Sequence, residues 1–378
     1  MSYTIGVPRE TAPGERLVSL TPEVVGRLSK SGASVRVESG AGSASFHSDA
    51  DYEAAGAELV SRDDAFACDI VTKVRPPDSD EIAKLSSGSV LVGFLSPLDK
   101  PAIAQELASR GVTALSMELV PRISRAQKMD ALSALSGIAG YRAVLEAATL
   151  LPRFFPLLTT AAGTVKPANA LVLGAGVAGL QAIATARRLG ARVSAYDIRE
   201  VVREEVQSLG ATFVELEIEM EEMQDSGGYA KALVAEKAKQ QTKLLVPFIG
   251  KSDVVVTTAL IPGRPAPTLI TQEAVEAMKP GSVIIDMAAP NGGNCELTKP
   301  GETVVHNGVS IVGSTNLPAE MPVDASQLYA RTVLAILKDF TSEEGFTPNF
   351  EDEVFTGACV THGGEVVHER VKGLLQSD

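Results

Sequence analysis

The residues best suited to chemistry in this sequence form one glycine-rich segment, which reads Gly174-Ala175-Gly176-Val177-Ala178-Gly179. It follows an apolar run and opens a helical pattern. The first glycine permits a tight turn, the second lets the backbone approach a pyrophosphate, and the third allows helix and strand to pack closely. Amide groups at a helix N-terminus also attract phosphate. The spacing therefore predicts a dinucleotide site.

Asp197 ends the next predicted strand and supports this interpretation. A carboxylate at that position accepts hydrogen bonds from the adenosine ribose hydroxyls and repels a 2′-phosphate, which favours NAD over NADP. Ile198 and Arg199 follow directly and belong to the same candidate site. Arg199 weakens the preference for NAD, because an arginine can receive the 2′-phosphate.

A second candidate group follows Arg122 and consists of Gln127, Asp130 and Ser133, which recur at intervals of three residues. This spacing allows them to share one face of a turn or helix. On the sequence alone, an ordinary charged helix start explains the segment equally well.

Two further segments are candidates for lining the nucleotide site. Residues 215–225 are acidic, as many solvated surfaces are, and the Gly227-Gly228-Tyr229 sequence that follows suits a lid loop with Tyr229 closing over the nucleotide. Thr258, Ala259 and Leu260 follow a buried strand. At the carboxyl end of a parallel sheet, such a loop lines the cofactor crevice.

The elements that must position these residues alternate between strands and helices, which predicts parallel sheets in an α/β protein. We expect two Rossmann-like doubly wound domains separated by a cleft. One comprises residues 1–133 and 318–378, and the other, which binds NAD, comprises residues 134–317. The predicted strands are Thr4–Val7, Ser34–Glu38, Asp69–Lys73, Ser89–Gly93, Ala170–Leu173, Arg192–Tyr196, Thr212–Glu215, Asp253–Thr257, Ser282–Asp286 and Ser310–Val312. The predicted helices include Pro101–Arg110, Gly179–Leu189, Tyr229–Leu245 and Ala325–Leu337.

Composition excludes several other classes of protein. The 378 residues carry a net charge of -13, which argues against nucleic acid or an anionic membrane as the main partner. Cys68, Cys295 and Cys359 are too few and too scattered for a disulfide framework, and no metal-ligand spacing is present. Residues 167–186 are uncharged, but Pro167, three glycines and Gln181 argue against a membrane span.

Several segments together resemble the NAD(H)-binding domain of proton-translocating nicotinamide nucleotide transhydrogenases. The similarity extends from Val7-Pro8-Arg9-Glu10 to Gly357-Ala358-Cys359-Val360-Thr361 and includes the glycine-rich segment. Its most specific part is the sequence Pro121-Arg122-Ile123-Ser124-Arg125-Ala126-Gln127-Lys128-Met129-Asp130.

The resemblance implies that this chain holds NAD(H) and passes a hydride to NADP+ on a partner subunit, while a membrane-spanning subunit couples the transfer to proton movement. It implies a homodimer attached peripherally to the cytoplasmic face of the inner or plasma membrane. It places Arg122 at the nicotinamide carboxamide. The stretch Gln127-Lys128-Met129-Asp130 and Ser133 then hold the nicotinamide and its ribose, and Gln127 also faces the partner's nucleotide. Gly228 and Tyr229 belong to the family's mobile loop.

Two alternatives remain open. Alanine dehydrogenases share the architecture, and Lys73 matches their lysine, but Ser96 stands in the place of their catalytic histidine and Pro290 in the place of their carboxylate. Neither serine nor proline can act as the general acid or base that alanine oxidation requires. We expect His47, His306, His362 and His368 to be structural or exposed. A non-catalytic NAD-binding module is equally compatible with the missing acid–base pair.

Overall fold

A computed structural model describes residues 3–216, 228–260, 265–342 and 345–376, with the side chains of 231–237 and those of the helix start at 228–230 left out. The chain divides into two compact units. Unit 1 contains the residues up to Leu135 and those from Pro318 onward, and unit 2 contains Ser136–Leu317.

The N-terminal third of the chain alternates strands and helices. In order these are β1 Thr4–Val7, α1 Pro22–Lys30, β2 Ser34–Glu38, α2 Asp49–Ala54, β3 Glu58–Val60, α3 Arg62–Phe66, β4 Ile70–Thr72, α4 Ser79–Lys84, β5 Val90–Gly93, α5 Ala102–Ser109 and β6 Thr113–Ser116. Two 3-10 helices, Met117–Leu119 and Ser124–Met129, lead to the long helix α6, Ala131–Leu150.

The middle of the chain repeats the alternation. Its elements are β7 Leu158–Thr160, β8 Gly163–Val165, β9 Asn169–Leu173, α7 Val177–Arg188, β10 Arg192–Tyr196, α8 Arg203–Ser208, β11 Thr212–Phe213, α9 Gly228–Gly250, β12 Val254–Thr257, α10 Gln272–Glu276, β13 Val283–Asp286, β14 Thr303–His306 and β15 Val309–Gly313. The C-terminal segment contains α11 Pro322–Phe340, β16 Thr341–Ser342, β17 Gly345–Phe346, α12 Glu353–Ala358, β18 Cys359–His362, β19 Glu365–Val366 and α13 Glu369–Leu375.

Each unit is built on one doubly wound sheet, which confirms the predicted fold class. The strand order in unit 1 is β19-β18-β6-β5-β4-β1-β2-β3, and in unit 2 it is β11-β10-β9-β12-β13-β15-β14. Strands β1 to β6 pair in parallel, and β18 adds to β6 in the antiparallel sense. In unit 2 the strand order reverses between β9 and β12, and ligands of such sheets bind outside the carboxyl ends at that point.

The sheet of unit 2 is covered by apolar cores on both faces, as a parallel sheet requires. Strand β9 shows how the sequence achieves this. Ala170 and Val172 join one buried cluster, while Leu171 and Leu173 join the other. Because successive side chains of a strand point to opposite faces, one continuous apolar run supplies both cores.

The predicted elements are present with shifts of a few residues at their ends, but two hairpins of unit 2 were missed. Strand β14 lies antiparallel to β15, and Asn307 and Gly308 between them both have positive φ, at 49° and 77°. Two such residues form the turn that short β-hairpins prefer. Strands β7 and β8 form a separate two-stranded sheet.

Among the residues that the structure describes, no helix has both the length and the apolar character needed to cross a bilayer.

A close helix contact sets the position of the glycine-rich segment within unit 2. A Cβ atom on Gly140 of α6 would lie 2.0 Å from the carbonyl oxygen of Ala178 in the first turn of α7. Real Cβ atoms do not approach that closely, so Gly140 is required for α6 to contact α7. Gly137, one turn earlier in α6, has open space where its Cβ would stand.

These two glycines of α6 give a matched pair of substitutions. Gly140→Ala should lower stability by about 1–3 kcal/mol, because the methyl group forces α6 away from α7. Gly137→Ala should raise stability by about 0.5–1 kcal/mol through helix propensity alone. Thermal unfolding followed by circular dichroism measures both. Equal midpoints for the two variants would contradict the close contact.

Candidate functional site

Two of the three glycines in the segment after β9 are required by the packing of the protein itself. Gly174 has φ +99°, and a Cβ there would lie 2.6 Å from Thr258 Oγ1. A Cβ on Gly179 would lie 1.9 Å from the carbonyl oxygen of Gly174. These glycines allow β9, α7 and the residues after β12 to meet backbone against backbone.

Gly176 differs from the other two, because nothing in the described protein requires a glycine there. It has φ -79°, which any residue adopts, and a Cβ would meet no atom within 4 Å. As the N-cap of α7 it provides no side-chain hydrogen bond to the first amide groups of the helix. Those groups point out of the helix and need partners. An open, uncapped helix start at the strand-order reversal fits a pyrophosphate.

Asp197 fastens the glycine turn to the end of β10. Its side chain is 7% exposed, and the carboxylate accepts the N–H of Ala175 at 2.7 Å. It also accepts the backbone N–H of Arg199 at 2.8 Å and two guanidinium N–H groups at 3.0 and 2.9 Å. Burial raises the pKa of Asp197, but the Arg199 guanidinium and the two backbone N–H groups outweigh it and hold the pKa below its usual value.

The guanidinium of Arg199 is therefore hydrogen-bonded to the Asp197 carboxylate, which was predicted to accept the ribose hydroxyls. These four hydrogen bonds take up most of the acceptor capacity of the carboxylate. A ribose would therefore compete with Arg199 for Asp197. Since the Arg199 side chain is 55% exposed, it can turn into solvent, and ribose hydroxyls would then replace its hydrogen bonds to Asp197.

The loop after β12 is held rigidly beside the glycine turn. Thr258 Oγ1 donates to the Gly174 carbonyl at 3.0 Å. The side chain of Asn294, which is fully buried, accepts from the N–H of Ala259 at 3.1 Å and donates to its carbonyl at 2.9 Å. Leu260, the next residue, is 51% exposed.

Large apolar side chains are exposed just beyond three neighbouring strand ends of this sheet. They are Val177 after β9, Ile198 after β10 and Leu260 after β12, at 48%, 59% and 51% exposure. Ala178 follows Val177 in the first turn of α7. Burying such side chains in water-free contact is favourable, so this edge of the sheet suits a flat apolar group such as an adenine ring.

Asp286, at the end of β13, was missed as a functional residue and organises the neighbouring loop. It is fully buried and accepts five hydrogen bonds. The donors are Thr257 Oγ1, Thr298 Oγ1 and the N–H groups of Ala288, Asn294 and Cys295. Asp286 thus positions Asn294, which in turn fixes Ala259. An aspartate ending an apolar strand was the available signal in the sequence.

In unit 1 the segment after Arg122 is anchored by four of its residues. In the 3-10 helix Ser124–Met129, Ala126 and Met129 are buried, Lys128 pairs with Asp339 at 2.9 Å, and Arg125 pairs with Asp339 and Asp352. Lys128 and Met129 were both predicted to bind the cofactor, but their side chains make contacts within unit 1.

Arg122 and Gln127 project from this anchored segment. Both are exposed, and within the described residues of the chain neither side chain makes a hydrogen bond or ion pair. Their polar groups are free to meet a ligand, while the residues between them hold the segment in place.

Asp130 and Ser133 form a helix cap at the start of α6. The Asp130 carboxylate accepts the backbone N–H of Ser133 at 2.8 Å and its hydroxyl at 2.5 Å. The spacing of three thus brings these two together, as predicted. Gln127 belongs to the preceding 3-10 helix and not to α6, so the single face expected for all three residues is not formed by one continuous helix.

The residues that alanine oxidation would use are otherwise engaged. Lys73 is 1% exposed and pairs with Glu10 at 3.3 Å and Glu81 at 3.1 Å. Ser96 has φ +50°, and its backbone N–H donates to the carboxylate of the half-buried Glu118. Pro290 lies in a 3-10 turn of unit 2. Lys73 therefore has a structural role.

The predicted lid falls mostly outside the described residues. Residues 217–227, which include most of the acidic segment and Gly227, are not described, nor are residues 261–264. Helix α9 begins at Gly228, and Tyr229 lies in its first turn, but the side chain of Tyr229 is outside the described residues. The closing role of Gly228 and Tyr229 stays a prediction.

Comparison with known proteins identifies family models and relatives that match nearly the whole chain. Family models described as "Alanine dehydrogenase/PNT, N-terminal domain" and "Alanine dehydrogenase/PNT, C-terminal domain" match residues 6–139 and 143–369. The chain is 46% identical to an NAD(P) transhydrogenase alpha subunit of Rhodospirillum rubrum, over 98% of this chain and 99% of that protein.

Two solved structures extend the comparison. The crystal structure of transhydrogenase from Sinorhizobium meliloti matches with a TM-score of 0.85 and 41% identity, over 97% of this chain and 99% of that one. A structure of L-alanine dehydrogenase matches with a TM-score of 0.81 and 26% identity, over 99% of both chains.

The contrast between Gly176 and Gly179 can be tested directly. Gly176→Ala should change stability by less than about 1 kcal/mol, since its methyl group enters open space. It should weaken NADH binding at least about tenfold, because the methyl group stands where the pyrophosphate must approach the backbone. Titration calorimetry measures the affinity.

The matched variant is Gly179→Ala, which should lower the unfolding midpoint because its methyl group overlaps the Gly174 carbonyl. If Gly176→Ala bound NADH as tightly as the unaltered protein, the pyrophosphate would not lie at this turn.

Proposed function

The chain belongs to the alanine dehydrogenase/PNT family and, within it, to the NAD(P) transhydrogenase alpha subunits; on that premise we propose that it binds NAD(H) and transfers a hydride to NADP+ held by a partner subunit. The observation that carries the NAD(H) site is Gly176. Gly176 begins helix α7 without a side-chain cap, and the packing of the protein does not require a glycine there. It lies where the strand order of the sheet reverses.

The proposed assignment divides the cofactor among three groups of residues. Gly174, Gly176, Val177, Ala178 and Gly179 hold the pyrophosphate. The adenosine end contacts Asp197, Ile198, Arg199, Thr258, Ala259 and Leu260. The nicotinamide end contacts Arg122, Gln127, Asp130 and Ser133, with Lys128 and Met129 contributing through their backbone.

Hydride transfer between two nicotinamides needs neither an acid nor a base. NADH supplies the hydride, and the protein has to hold the two rings face to face at roughly 3–3.5 Å. The exposed and uncommitted side chains of Arg122 and Gln127 support such a positioning role. Ser96 supports the same role, because it stands where an alanine dehydrogenase has its proton-transferring histidine.

The partners follow from the same premise. We propose an NADP(H)-binding subunit as the hydride acceptor and a membrane-spanning subunit that couples transfer to proton translocation. The chain would then be attached peripherally at the cytoplasmic face of the inner or plasma membrane. The whole is a proton-translocating, Re/Si-specific transhydrogenase.

A homodimer is included in this proposal, and the β7–β8 hairpin supports it. Phe154, Leu157 and Val165 are 53%, 61% and 39% exposed in and beside that hairpin. A two-stranded hairpin is only marginally stable by itself. Its apolar side chains would gain from burial against a second copy.

An activity comparison separates the transhydrogenase from its dehydrogenase relatives. The full chain with NADH and an NADP+ analogue should transfer hydride only when a purified NADP(H)-binding subunit is added. With pyruvate, ammonia and NADH it should show no NADH oxidation, because Ser96 cannot transfer a proton as histidine does. Absorbance at the wavelengths of the two reduced nucleotides measures both. Reductive amination by the chain alone would overturn the proposal in favour of an alanine dehydrogenase.

Gln127 is the residue whose role is most sharply testable. Gln127→Asn should slow hydride transfer at saturating NADH by tenfold or more, because displacing a ring by about 1 Å costs up to roughly 100-fold in rate. NADH affinity should change less than about threefold. The control is Gln105→Asn, since Gln105 is an exposed glutamine on α5. Equal losses of affinity and rate would contradict a positioning role for Gln127.

A further inference from the structure

Unit 2 contains a cavity at the end of its sheet opposite the glycine turn. It has a volume of about 430 Å³ and lies at the amino ends of β9, β10 and β11, beside the last residues of α9. The side chains that give it its chemistry are Arg187, Arg192, Lys251, Ser194, Thr212 and Phe248. Pockets of this size hold small-molecule ligands in other proteins.

The cavity is basic although the chain is acidic. Three cations line it, and its described lining contains no aspartate or glutamate. Among the residues that the structure describes, none of Arg187, Arg192 and Lys251 pairs with a carboxylate. The chain has 47 acidic residues against 34 basic ones, so three neighbouring cations without an acidic partner need a reason.

Helix dipoles account for some of this arrangement but not for all of it. Arg187 lies in the last turn of α7, and Lys251 follows the end of α9, where cations stabilise the helix terminus. Arg192 lies at the start of a strand and has no such role. Arg188 also lies in the last turn of α7, yet it does not line the cavity.

The face of the sheet at this point is polar where a doubly wound sheet is normally apolar. Arg192 and Ser194 alternate along β10 on the face that carries Tyr196, whose ring packs in the core beneath α9. Ser194 is only half-buried. The strand thus presents a cation and a hydroxyl to the cavity in place of two core side chains.

The guanidinium of Arg187 lies at the cavity wall beside Gly210. A Cβ on Gly210, which has φ +76°, would lie 3.0 Å from Arg187 Nη2 and 3.3 Å from Nε. The guanidinium therefore lies close to the Gly210 backbone, and because Arg187 is exposed, its N–H groups can reach an anion.

We propose that this cavity is a second anion site, which takes a phosphate-bearing ligand, and that it is separate from the dinucleotide site. Two arginines provide planar, bidentate donors that match phosphate oxygens, and Lys251 adds a point charge. Ser194 and Thr212 add hydroxyl donors. Phe248, 38% exposed, offers an apolar wall to the organic portion of the ligand. The proposal does not rest on hydride transfer.

The test uses the full chain saturated with NADH, so that the glycine turn is occupied, and inorganic pyrophosphate as the probe. Calorimetry should show one saturable site per chain whose affinity falls with ionic strength. Arg187→Gln and Arg192→Gln should each weaken binding roughly tenfold, as loss of a charged hydrogen-bond donor does. Arg188→Gln is the matched control and should change the affinity less than about twofold.

A second arm distinguishes the source of the phosphate. Vesicles of phosphatidylglycerol, mixed with the same variants and sedimented, report whether a lipid headgroup enters the cavity. Vesicle binding that needs Arg187 and Arg192, and that pyrophosphate displaces, would identify the source as a headgroup. Binding of pyrophosphate without vesicle binding would identify a free phosphate ester.

Two outcomes would overturn the proposal. One is the absence of saturable binding of pyrophosphate and of vesicles. The other is an equal effect of Arg188→Gln and Arg187→Gln, which would mean that the cations act only through the general field of the helix terminus.

Discussion

The candidate site depends on one steric constraint, the contact of backbone against backbone at the start of α7. Three positions without a Cβ meet there. Gly179 lies against the carbonyl of Gly174, Gly174 against Thr258, and Gly140 of α6 against Ala178. Because none of these contacts can move by the width of a methyl group, β9, β12, α6 and α7 share one fixed junction. The amide groups that would bind a pyrophosphate are oriented by that junction and not by a side chain.

Two buried carboxylates extend the junction along the sheet. Asp197 binds the N–H of Ala175 from the end of β10, and Asp286 binds the loop that carries Asn294 from the end of β13. Buried charges are stable only when they are paired or hydrogen-bonded. Backbone amides donate two of the four hydrogen bonds to Asp197 and three of the five to Asp286. The strand ends thus become fixed anchors for the loops, and Arg199 contributes an exposed side chain to this arrangement.

How far the sequence predicted the structure depended on the kind of interaction. Strand β10 matched its predicted range because the five residues Arg192–Tyr196 have a strand-like pattern and lie between Gly190 and Asp197. Strand β14 was missed although the Asn307-Gly308 pair is a strong hairpin signal, since Thr303–His306 is short and half-exposed. The contact of Arg199 with Asp197 could not be predicted, because the rotamer of an exposed arginine leaves no mark in the sequence. Asp286 could have been suspected, but its five donors come from positions as far as Thr257.

The net charge of -13 illustrates the limit of a whole-chain argument. It argues against large polyanions as main partners, since their binding depends on the summed field over many contacts. A small anion is bound instead by groups within a few ångströms of it. At physiological ionic strength, screening weakens its interaction with exposed charges more than about 8 Å away. The sheet of unit 2 offers such local exceptions at both ends. At its carboxyl end the exception consists of uncapped amides, which carry no formal charge and do not enter the net charge. At its amino end it consists of Arg187, Arg192 and Lys251, whose charges are offset in the net charge by acidic residues elsewhere in the chain. The position of an anion site in an acidic protein of this fold is therefore decided by the groups within a few ångströms of the ligand and not by the total charge.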